Sequence, residues 1–381
     1  MVGEDFTYET LAKTYQDFGY PAATVMVKGK NLFRNKYRFV INKLEIELSS
    51  GYEASAAELY IYHVYDDATG KFLTESFSKL VELGAEISVG LGYLNKIKEV
   101  FAGYISGITY GYDKGDLPYV KITAMDVKGI MMANHESKQL KKASYGEALA
   151  DILKRKPYEG LVKEAKISDT PDKDEEREKS DKKKASAYTV EMTAESDYEF
   201  AVKAAKRFNY EFFIDCGEVI FRKAKSSTKI LAALGLNRGL VSFNISYRLD
   251  GLAEQVELRS LDAGTGKLLV SKEQRSGIIS SGNDAGKRLK NSRKVVVDPS
   301  AVSQKQLNAR CSALLESMSY RFGELNCECV GIPELVPGRF VKIDGLGENV
   351  SNQFYITKVV HKLDDEGFRT SLEGAAAQLG K

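Results

Sequence analysis

Few residues in this 381-residue chain have the type and spacing that catalysis needs. General acid–base chemistry near neutral pH most often uses histidine, and the sequence has three of them, His63, His135 and His361. No serine, cysteine or carboxylate lies at motif spacing from any of the three. We expect His63 to share a strand face with Ile61 and Tyr65, His135 to lie in an interdomain turn, and His361 to end a strand. We therefore predict structural roles for all three and no catalytic residue.

Metal and cofactor chemistry finds equally little support. Cys327 and Cys329 would share a strand face and could present two thiolates to one metal, but Leu325 falls on the same face. Free cysteines commonly line cores as small hydrophobic residues, which favours packing. Gly345-Leu346-Gly347 resembles part of a phosphate loop, yet no helix follows it, so a turn is favoured. The sequence predicts no metal and no cofactor.

One strand face is aromatic enough for a ligand platform. Tyr60, Tyr62 and Val64 alternate along the chain, and an interface or a second packed layer explains the pattern equally well. Both interpretations stay open.

The charge balance and cysteine usage exclude several classes of protein. Lys plus Arg total 55 against 53 for Asp plus Glu, which predicts neither specific nucleic-acid binding nor attraction to an anionic membrane. Four scattered cysteines do not form a disulfide framework. The N-terminus lacks a signal-peptide pattern, and no window approaches the ~18 apolar residues of a membrane span. We expect a protein made in the cytoplasm.

The elements that position these residues begin with a strand-rich block. A short helix from Thr7 to Phe18 precedes period-two alternation up to Met132, as in Leu44, Ile46 and Leu48. The parity of Phe39 and Ile41 opposes that of Leu44, which predicts a bulge near Asn42. We assign residues 1–135 to a first antiparallel β-barrel-like domain with an N-terminal helix.

A mixed unit follows over residues 136–228. Capping boxes at Ser144 and Ser196 start two helices, and two strands turn at Cys216-Gly217. The stretch from Lys163 to Lys184 is almost entirely charged, which is typical of a mobile loop. We predict a small α+β domain.

Alternation returns over residues 229–381, beginning with Val241, Phe243 and Ile245. A polar excursion from Ser280 to Arg293 and a helix from Val302 to Ser319 interrupt it near 280–320. We predict a second β-barrel domain there. The fold class is mainly β (α+β), with two antiparallel barrel-like hub domains, an intervening α+β domain and a connecting helix.

Three ordered stretches resemble one known family. They are Phe101-Ala-Gly-Tyr-Ile105 with Asp126, then Ser196-Asp-Tyr-Glu-Phe200, then Gly331-Ile-Pro-Glu-Leu335 followed by Tyr355 and His361. Their order is similar to that of phage late control gene D proteins, which belong with VgrG-type and myovirus tail hubs. The positions that carry the resemblance, all with structural roles, are Phe101, Gly103, Ile105, Asp126, Asp197, Phe200, Gly331, Pro333, Pro337, Gly338, Tyr355, His361 and Gly367.

The resemblance implies a non-enzymatic baseplate hub of a contractile, phage-tail-like injection system. It implies a homotrimer that joins a six-fold inner tube to a three-fold spike, with the tube or tube-initiator protein, a separate spike protein and baseplate wedge proteins as partners. VgrG-type fusions continue into a spike, whereas this chain ends soon after its last predicted strand. Two alternatives remain, a tip-associated peptidoglycan hydrolase and a glycan-binding tail protein. The charged stretch from Lys163 to Lys184 carries no family role.

Overall fold

The alternating N-terminal block folds into strands that place their apolar residues on one side. A computed structural model describes residues 4–34, 40–73, 80–115, 117–140, 142, 144–170, 190–261, 266–275, 283–301 and 303–380. The block comprises β1 (Glu4–Phe6), α1 (Tyr8–Thr14), β2 (Pro21–Val27), β3 (Lys30–Asn31), β4 (Val40–Ser49), β5 (Ala56–Tyr62), β6 (Tyr65–Asp66), β7 (Lys71–Phe72), β8 (Glu86–Tyr93), β9 (Lys96–Gly111), β10 (Tyr119–Met125) and α2 (Lys128–Ala133), with 3-10 turns at Gln16–Phe18 and Leu32–Arg34.

Both pattern-based predictions for β4 are confirmed. Leu44, Ile46 and Leu48 are buried along one face, and the pairing register with β5 shifts between Ile41 and Lys43. Phe39 lies outside the described residues. The bulge moves the strand from one parity to the other, as the sequence required.

The predicted N-terminal helix is shorter than expected. Thr7 caps α1 by accepting a hydrogen bond from the backbone N–H of Thr10, but the helix ends at Thr14. Gln16, Asp17 and Phe18 all have positive φ, between 49° and 60°, which a right-handed helix cannot accommodate. The helical spacing of apolar residues in the sequence continues past Thr14, where the backbone leaves the helix, and this is why the predicted helix was too long.

The middle unit forms around two capped helices. Ser196 and Glu199 make a reciprocal capping box, and the hairpin turns at Cys216 and Gly217, with φ of 48° and 86°, as in a type I′ turn. The unit comprises β11 (His135–Leu140), α3 (Tyr145–Ile152), β12 (Glu164–Ile167), β13 (Val190–Ser196), α4 (Asp197–Phe208), β14 (Tyr210–Asp215) and β15 (Glu218–Lys223), with a 3-10 turn at Lys156–Tyr158.

The prediction of a mobile loop over residues 163–184 is wrong at its start. Strand β12 lies inside it and pairs in parallel with β15. Its side chains are mostly exposed, so backbone pairing and ion pairs such as Lys166 with Glu218 (2.5 Å) hold it. An exposed edge strand carries no apolar alternation, and composition alone misses it. Residues 171–184 lie outside the described residues.

The C-terminal block contains the longest helix. Ser303 caps it, and Leu307 and Cys311 are buried, with Leu314 and Leu315 half-buried beside them. Val302 lies outside the described residues. The block comprises β16 (Ile230–Leu234), β17 (Leu240–Tyr247), β18 (Gln255–Leu261), β19 (Leu268–Gln274), α5 (Asn283–Leu289), β20 (Arg293–Val297), α6 (Gln304–Ser319), β21 (Gly323–Val330), β22 (Phe340–Ile343), β23 (Asn352–Asp364) and β24 (Gly367–Ala376).

One mixed sheet of 14 strands joins the first and last blocks. Strand β23 is its junction, because it pairs with β22, β24 and β4. Strands β1, β16 and β22 are parallel, so the prediction of purely antiparallel pairing is wrong. The two predicted barrels are not confirmed, since pairings among the described strands close no barrel. Local alternation shows which residues share a face, not which distant strand lies alongside.

The hydrophobic cores follow the same division. One cluster combines residues of both blocks, such as Leu44 and Ile61 with Leu325 and Phe354. A second lies in the middle unit around α4, and a third lies between α6 and the three-stranded sheet β19-β18-β20. The first and last blocks therefore share one core, while the domain boundaries at 135 and 228 stay a prediction.

Candidate assembly surfaces and buried joints

The three histidines lie in different elements, and all three predicted placements are wrong. Strand β5 ends at Tyr62, and His63, which is exposed with φ of 59°, turns the chain. It therefore shares no face with Ile61 and Tyr65. His135 begins β11, opposite Ser196 of β13, because strand pairing continues where a turn was expected.

His361 lies inside β23 rather than at its end, and it is fully buried. Its Nδ1 is 2.9 Å from Thr370 Oγ1, and its Nε2 is 3.2 Å from the carbonyl oxygen of Leu335. A carbonyl only accepts, so Nε2 carries the proton and Nδ1 accepts from Thr370. Burial lowers the pKa of His361 to about 3. The ring is a neutral structural connector between β23, β24 and the Leu335 segment.

The cysteine pair belongs to the core. Cys327, Cys329 and Leu325 are all buried on one face of β21, and the Cys329 thiol lies 3.3 Å from the carbonyl oxygen of Thr370. Burial raises the pKa of Cys327 to about 12 and that of Cys329 well above its usual value. Protonated thiols are poor metal ligands. Within the described ranges, no three His, Cys, Asp or Glu side chains cluster as a metal site would require.

A buried polar joint connects the middle unit to the large sheet. Tyr355 of β23 donates a hydrogen bond to Glu211 of β14, and Arg222 donates to the same carboxylate. Arg222 also donates to the carbonyl oxygen of Gly338 at 2.8 Å, where φ is 79°. Burial raises the pKa of Glu211, and the Arg222 charge opposes that shift. The Glu211 carboxylate thus connects the β14–β15 hairpin to β23, and Arg222 extends the connection to Gly338.

A second joint connects the first block to the middle unit. Asp126 is buried and accepts from the backbone N–H groups of Ser55 and Lys128, both at 2.8 Å. The buried Lys128 ammonium donates to the Glu53 carbonyl oxygen at 2.7 Å and lies 5.2 Å from the Phe212 ring centre. Burial raises the pKa of Asp126 and lowers that of Lys128. The pair anchors α2 against β14.

A third polar centre lies within the middle unit. Asp197 is fully buried. Its two carboxylate oxygens accept hydrogen bonds from Arg155 at 2.8 and 2.9 Å, and Tyr158 donates a further hydrogen bond. Burial and this carboxylate raise the pKa of Tyr158. Phe200 is buried beside it in the core. The arrangement fixes the N-terminus of α4.

The remaining motif positions serve packing and close approach. Tyr93 donates to the Gly331 carbonyl oxygen at 2.9 Å, and a Cβ on Gly331 would collide with the Phe368 ring. Gly367, with φ of 104°, turns β23 into β24. Phe101, Ile105, Pro333 and Pro337 are buried, and Gly103 lies against the Met125 backbone. The structure distributes the thirteen motif positions over several joints and does not bring them to one site.

One cleft was not predicted, because its walls come together only in the fold. It has a volume of about 740 Å³ and is lined by α6, β19, β22 and the C-terminal segment. Arg275 donates to the Ala377 carbonyl oxygen at 2.7 Å across it. Glu273, Glu316 and Lys342 give the lining both charge signs. The Ser312 hydroxyl of α6 donates to a Glu273 carboxylate oxygen at 2.8 Å in this lining, and the lining residues include no histidine or cysteine.

One exposed strand edge fits contacts with other molecules. Strand β17 pairs only with β21 among the described strands, and Val241 and Phe243 are 46% and 38% exposed. The eight residues of β17 include no charged side chain. Native sheets usually protect such edges with charge, proline or a covering segment. The β17 edge is therefore a candidate assembly surface.

The predicted tyrosine face is real but has different members. Tyr60 and Tyr62 of β5 lie 5.5 and 6.1 Å from Tyr119 of β10, measured between ring centres. Lys43 and Lys121 each lie 5.6 Å from the Tyr60 ring centre. Val64 was placed on this face, but it is buried in the core because the chain turns at His63. The two lysines lie over the Tyr60 ring.

The fold is that of phage tail proteins. A tail protein from Neisseria meningitidis MC58 superposes with a TM-score of 0.65 at 14% identity, over 94% of this chain and 99% of that one. A 43 kDa tail protein of prophage MuSo2 from Shewanella oneidensis gives 0.64 at 15%, over 93% and 98%. An Escherichia coli component of the type VI secretion system gives 0.54 at 10%, over 92% and 76%.

Sequence comparison gives one family. No curated protein matches the chain. None of the described helices has the length and apolar character to cross a membrane. The family described as the Alg8 N-terminal domain matches residues 21–365. The resemblance to late control gene D proteins is thus supported at the level of the tail-protein fold, and by sequence the chain belongs to the Alg8 N-terminal domain family.

Proposed function

We propose that the chain is a non-enzymatic structural subunit of a phage-tail-like particle, specifically its baseplate hub. The observation that carries the proposal is the similarity to tail proteins along nearly the whole of both chains. A shared domain would match only part of each chain, whereas this likeness extends over every block. The motif order similar to late control gene D and VgrG-type hubs supports the hub assignment.

The buried polar joints support a mechanical role. Glu211, Asp126 and His361 each bind residues from separate segments, and all three are buried. Buried polar networks of this kind cost desolvation energy and favour one arrangement of the elements. A subunit that transmits force between a tube and a spike needs that rigidity.

In this proposal three copies form a ring that adapts a six-fold tube to a three-fold spike. The uncharged β17 edge supports self-assembly, since an eight-residue strand with one edge free of any described partner is a template for pairing with another chain. Its exposed apolar residues continue the core face of β21, because Phe243 lies opposite Cys327. The inner tube or its initiator, a separate spike protein and wedge proteins complete the particle.

Sedimentation velocity tests the proposal. We expect the purified chain to sediment as three copies, alone or with its spike protein. Phe243→Asp should shift the population toward monomer, because a carboxylate in a β17 seam would be desolvated. Leu83→Asp is the matched control at an exposed leucine (66% exposed) away from β17, and it should remain trimeric. Persistent wild-type monomers in both samples would overturn the hub assignment.

A further inference from the structure

The three-stranded sheet β19-β18-β20 has one covered and one uncovered face. Val256 and Leu258 are buried against α6. The alternate residues of β18, Glu257 and Arg259, point to the opposite side, which we call the outer face. Helix α6 packs against β18 and β19 on the covered side. The register adds further members to the outer face, Leu261, Leu268, Val270, Lys272, Arg293, Val295 and Val297.

A single carboxylate organises the cations of the outer face. Glu257 Oε1 is 2.7 Å from Arg259 Nε, and its Oε2 lies 2.5 Å from Arg293 Nη2 and 3.6 Å from Lys272 Nζ. The three cations cover Glu257, which is only 2% exposed, yet they remain 39–52% exposed themselves. One carboxylate balances one of three positive charges, so the face keeps two in excess.

Aliphatic side chains lie beside this charge cluster. Leu261 and Leu268 face each other across β18 and β19, and they are 58% and 64% exposed. Val295 and Val297 of β20 are 46% and 70% exposed. Contiguous exposed aliphatic residues of this kind mark contact surfaces. Half of the outer face is apolar and the other half is cationic.

The positive charge is local. Residues 283–297 contain five Lys or Arg and one acid, whereas the entire chain carries a formal charge of +2. Lys287, Arg288 and Lys290 of this segment are exposed. They directly precede β20 in the chain, and a cluster of like charge attracts an anionic partner.

The chemistry of the face selects a protein partner over a nucleic acid. Single-stranded nucleic acids bind aromatic side chains through base stacking, and the members of the outer face include none. A phosphate backbone cannot cover four aliphatic side chains. We propose that the outer face docks an acidic segment of another protein, whose carboxylates pair with Lys272 and Arg293 and whose aliphatic side chains cover Val295, Val297, Leu261 and Leu268.

Fluorescence anisotropy with three labelled probes tests this inference on the full chain. The probes are a short peptide of glutamate and leucine, polyglutamate of equal charge, and a short DNA duplex. We expect the wild type to bind the glutamate–leucine peptide more tightly than the other two. The variant Lys272→Gln with Arg293→Gln should weaken that binding about tenfold, and it leaves the Arg259–Glu257 pair intact.

A second variant separates the apolar contribution from the charge. Val295→Thr with Val297→Thr keeps β-branched side chains, and we expect it to remove the preference for the glutamate–leucine peptide over polyglutamate. Lys96→Gln with Lys114→Gln alters exposed lysines elsewhere and should bind as the wild type. Failure to bind the peptide, equal or tighter binding of DNA, or an equal loss in the lysine control would overturn the inference.

Discussion

Tyr355 of β23 donates its phenolic proton to Glu211 of β14, and this contact connects the large sheet to the middle unit. Both side chains are buried. Arg222 holds the other carboxylate oxygen, so the tyrosine completes the set of partners that a buried carboxylate requires.

Replacing that tyrosine tests the joint. Tyr355→Phe removes one donor and leaves Glu211 short of a partner, which should lower the free energy of unfolding by about 1–3 kcal/mol. Chemical denaturation measures the change. Tyr112→Phe, at a side chain that is exposed, should have no measurable effect. An unchanged unfolding midpoint in Tyr355→Phe would show that the contact contributes no net stability.

Acid should weaken the fold through His361. Burial lowers its pKa to about 3 in the folded chain, against about 6.5 when unfolded. Between these two pH values the unfolded state binds a proton at His361 that the folded state does not. The contribution of His361 to the free energy of unfolding is therefore fully present above pH 6.5. It falls by about 1.4 kcal/mol per pH unit toward pH 3. Denaturation midpoints measured across this range should show the slope.

Two variants separate this slope from general acid sensitivity. His361→Gln removes the titrating group, so its stability should be lower at neutral pH but less dependent on pH. His63→Gln, at an exposed position, should keep the wild-type slope. Equal slopes in all three proteins would contradict the assignment.

Two glycines of β9 provide a matched pair. A Cβ on Gly103 would collide with the carbonyl oxygen of Met125 and lie 2.8 Å from its carbonyl carbon, whereas one on Gly107 would meet only Thr123 at 3.6 Å. Gly103→Ala should therefore lower the free energy of unfolding by about 1–3 kcal/mol. Gly107→Ala should change it by no more than about 0.5 kcal/mol. Thermal unfolding measures both. Equal melting temperatures would show that β10 shifts away freely.

Helix α6 should show a gradient of burial. Leu307 is fully buried, so Leu307→Ala should cost about 2–5 kcal/mol. Leu314 is half-buried, and Leu314→Ala should cost less than Leu307→Ala. Denaturant unfolding of the two variants measures the difference. A larger loss for Leu314→Ala would place the helix in a different rotation on the sheet.

Local signals in the sequence predicted the local structure. The buried face of β4 was predicted from the alternation of Leu44, Ile46 and Leu48. The start of α4 was predicted from the capping pair Ser196 and Glu199. The pairing of β4 with β23 joins residues 49 and 358, and neither strand contains a signal for its partner. Non-local pairing of this kind follows from the complete core and not from any single segment.

The joints show the same limit. Tyr355 was expected to be structural, but its partner Glu211 was not identified. A usable signal existed, because Glu211 is the only charged residue between Tyr210 and Ile214 in a strand of aromatic and aliphatic residues. An acid in such a strand requires a donor when buried. The sequence could have indicated that need without naming the donor.

The position of β23 late in the chain determines when the fold can be completed during translation. Strand β4 is synthesised early and pairs with β5 on one edge, yet the partner of its other edge, β23, spans residues 352–364. Until that segment leaves the ribosome, the β4 edge and the core residues behind it stay open to other nascent chains. The sheet of the first block is thus completed only by a strand of the last block. A truncated product that lacks β23 would expose the β4 edge to pairing with other chains.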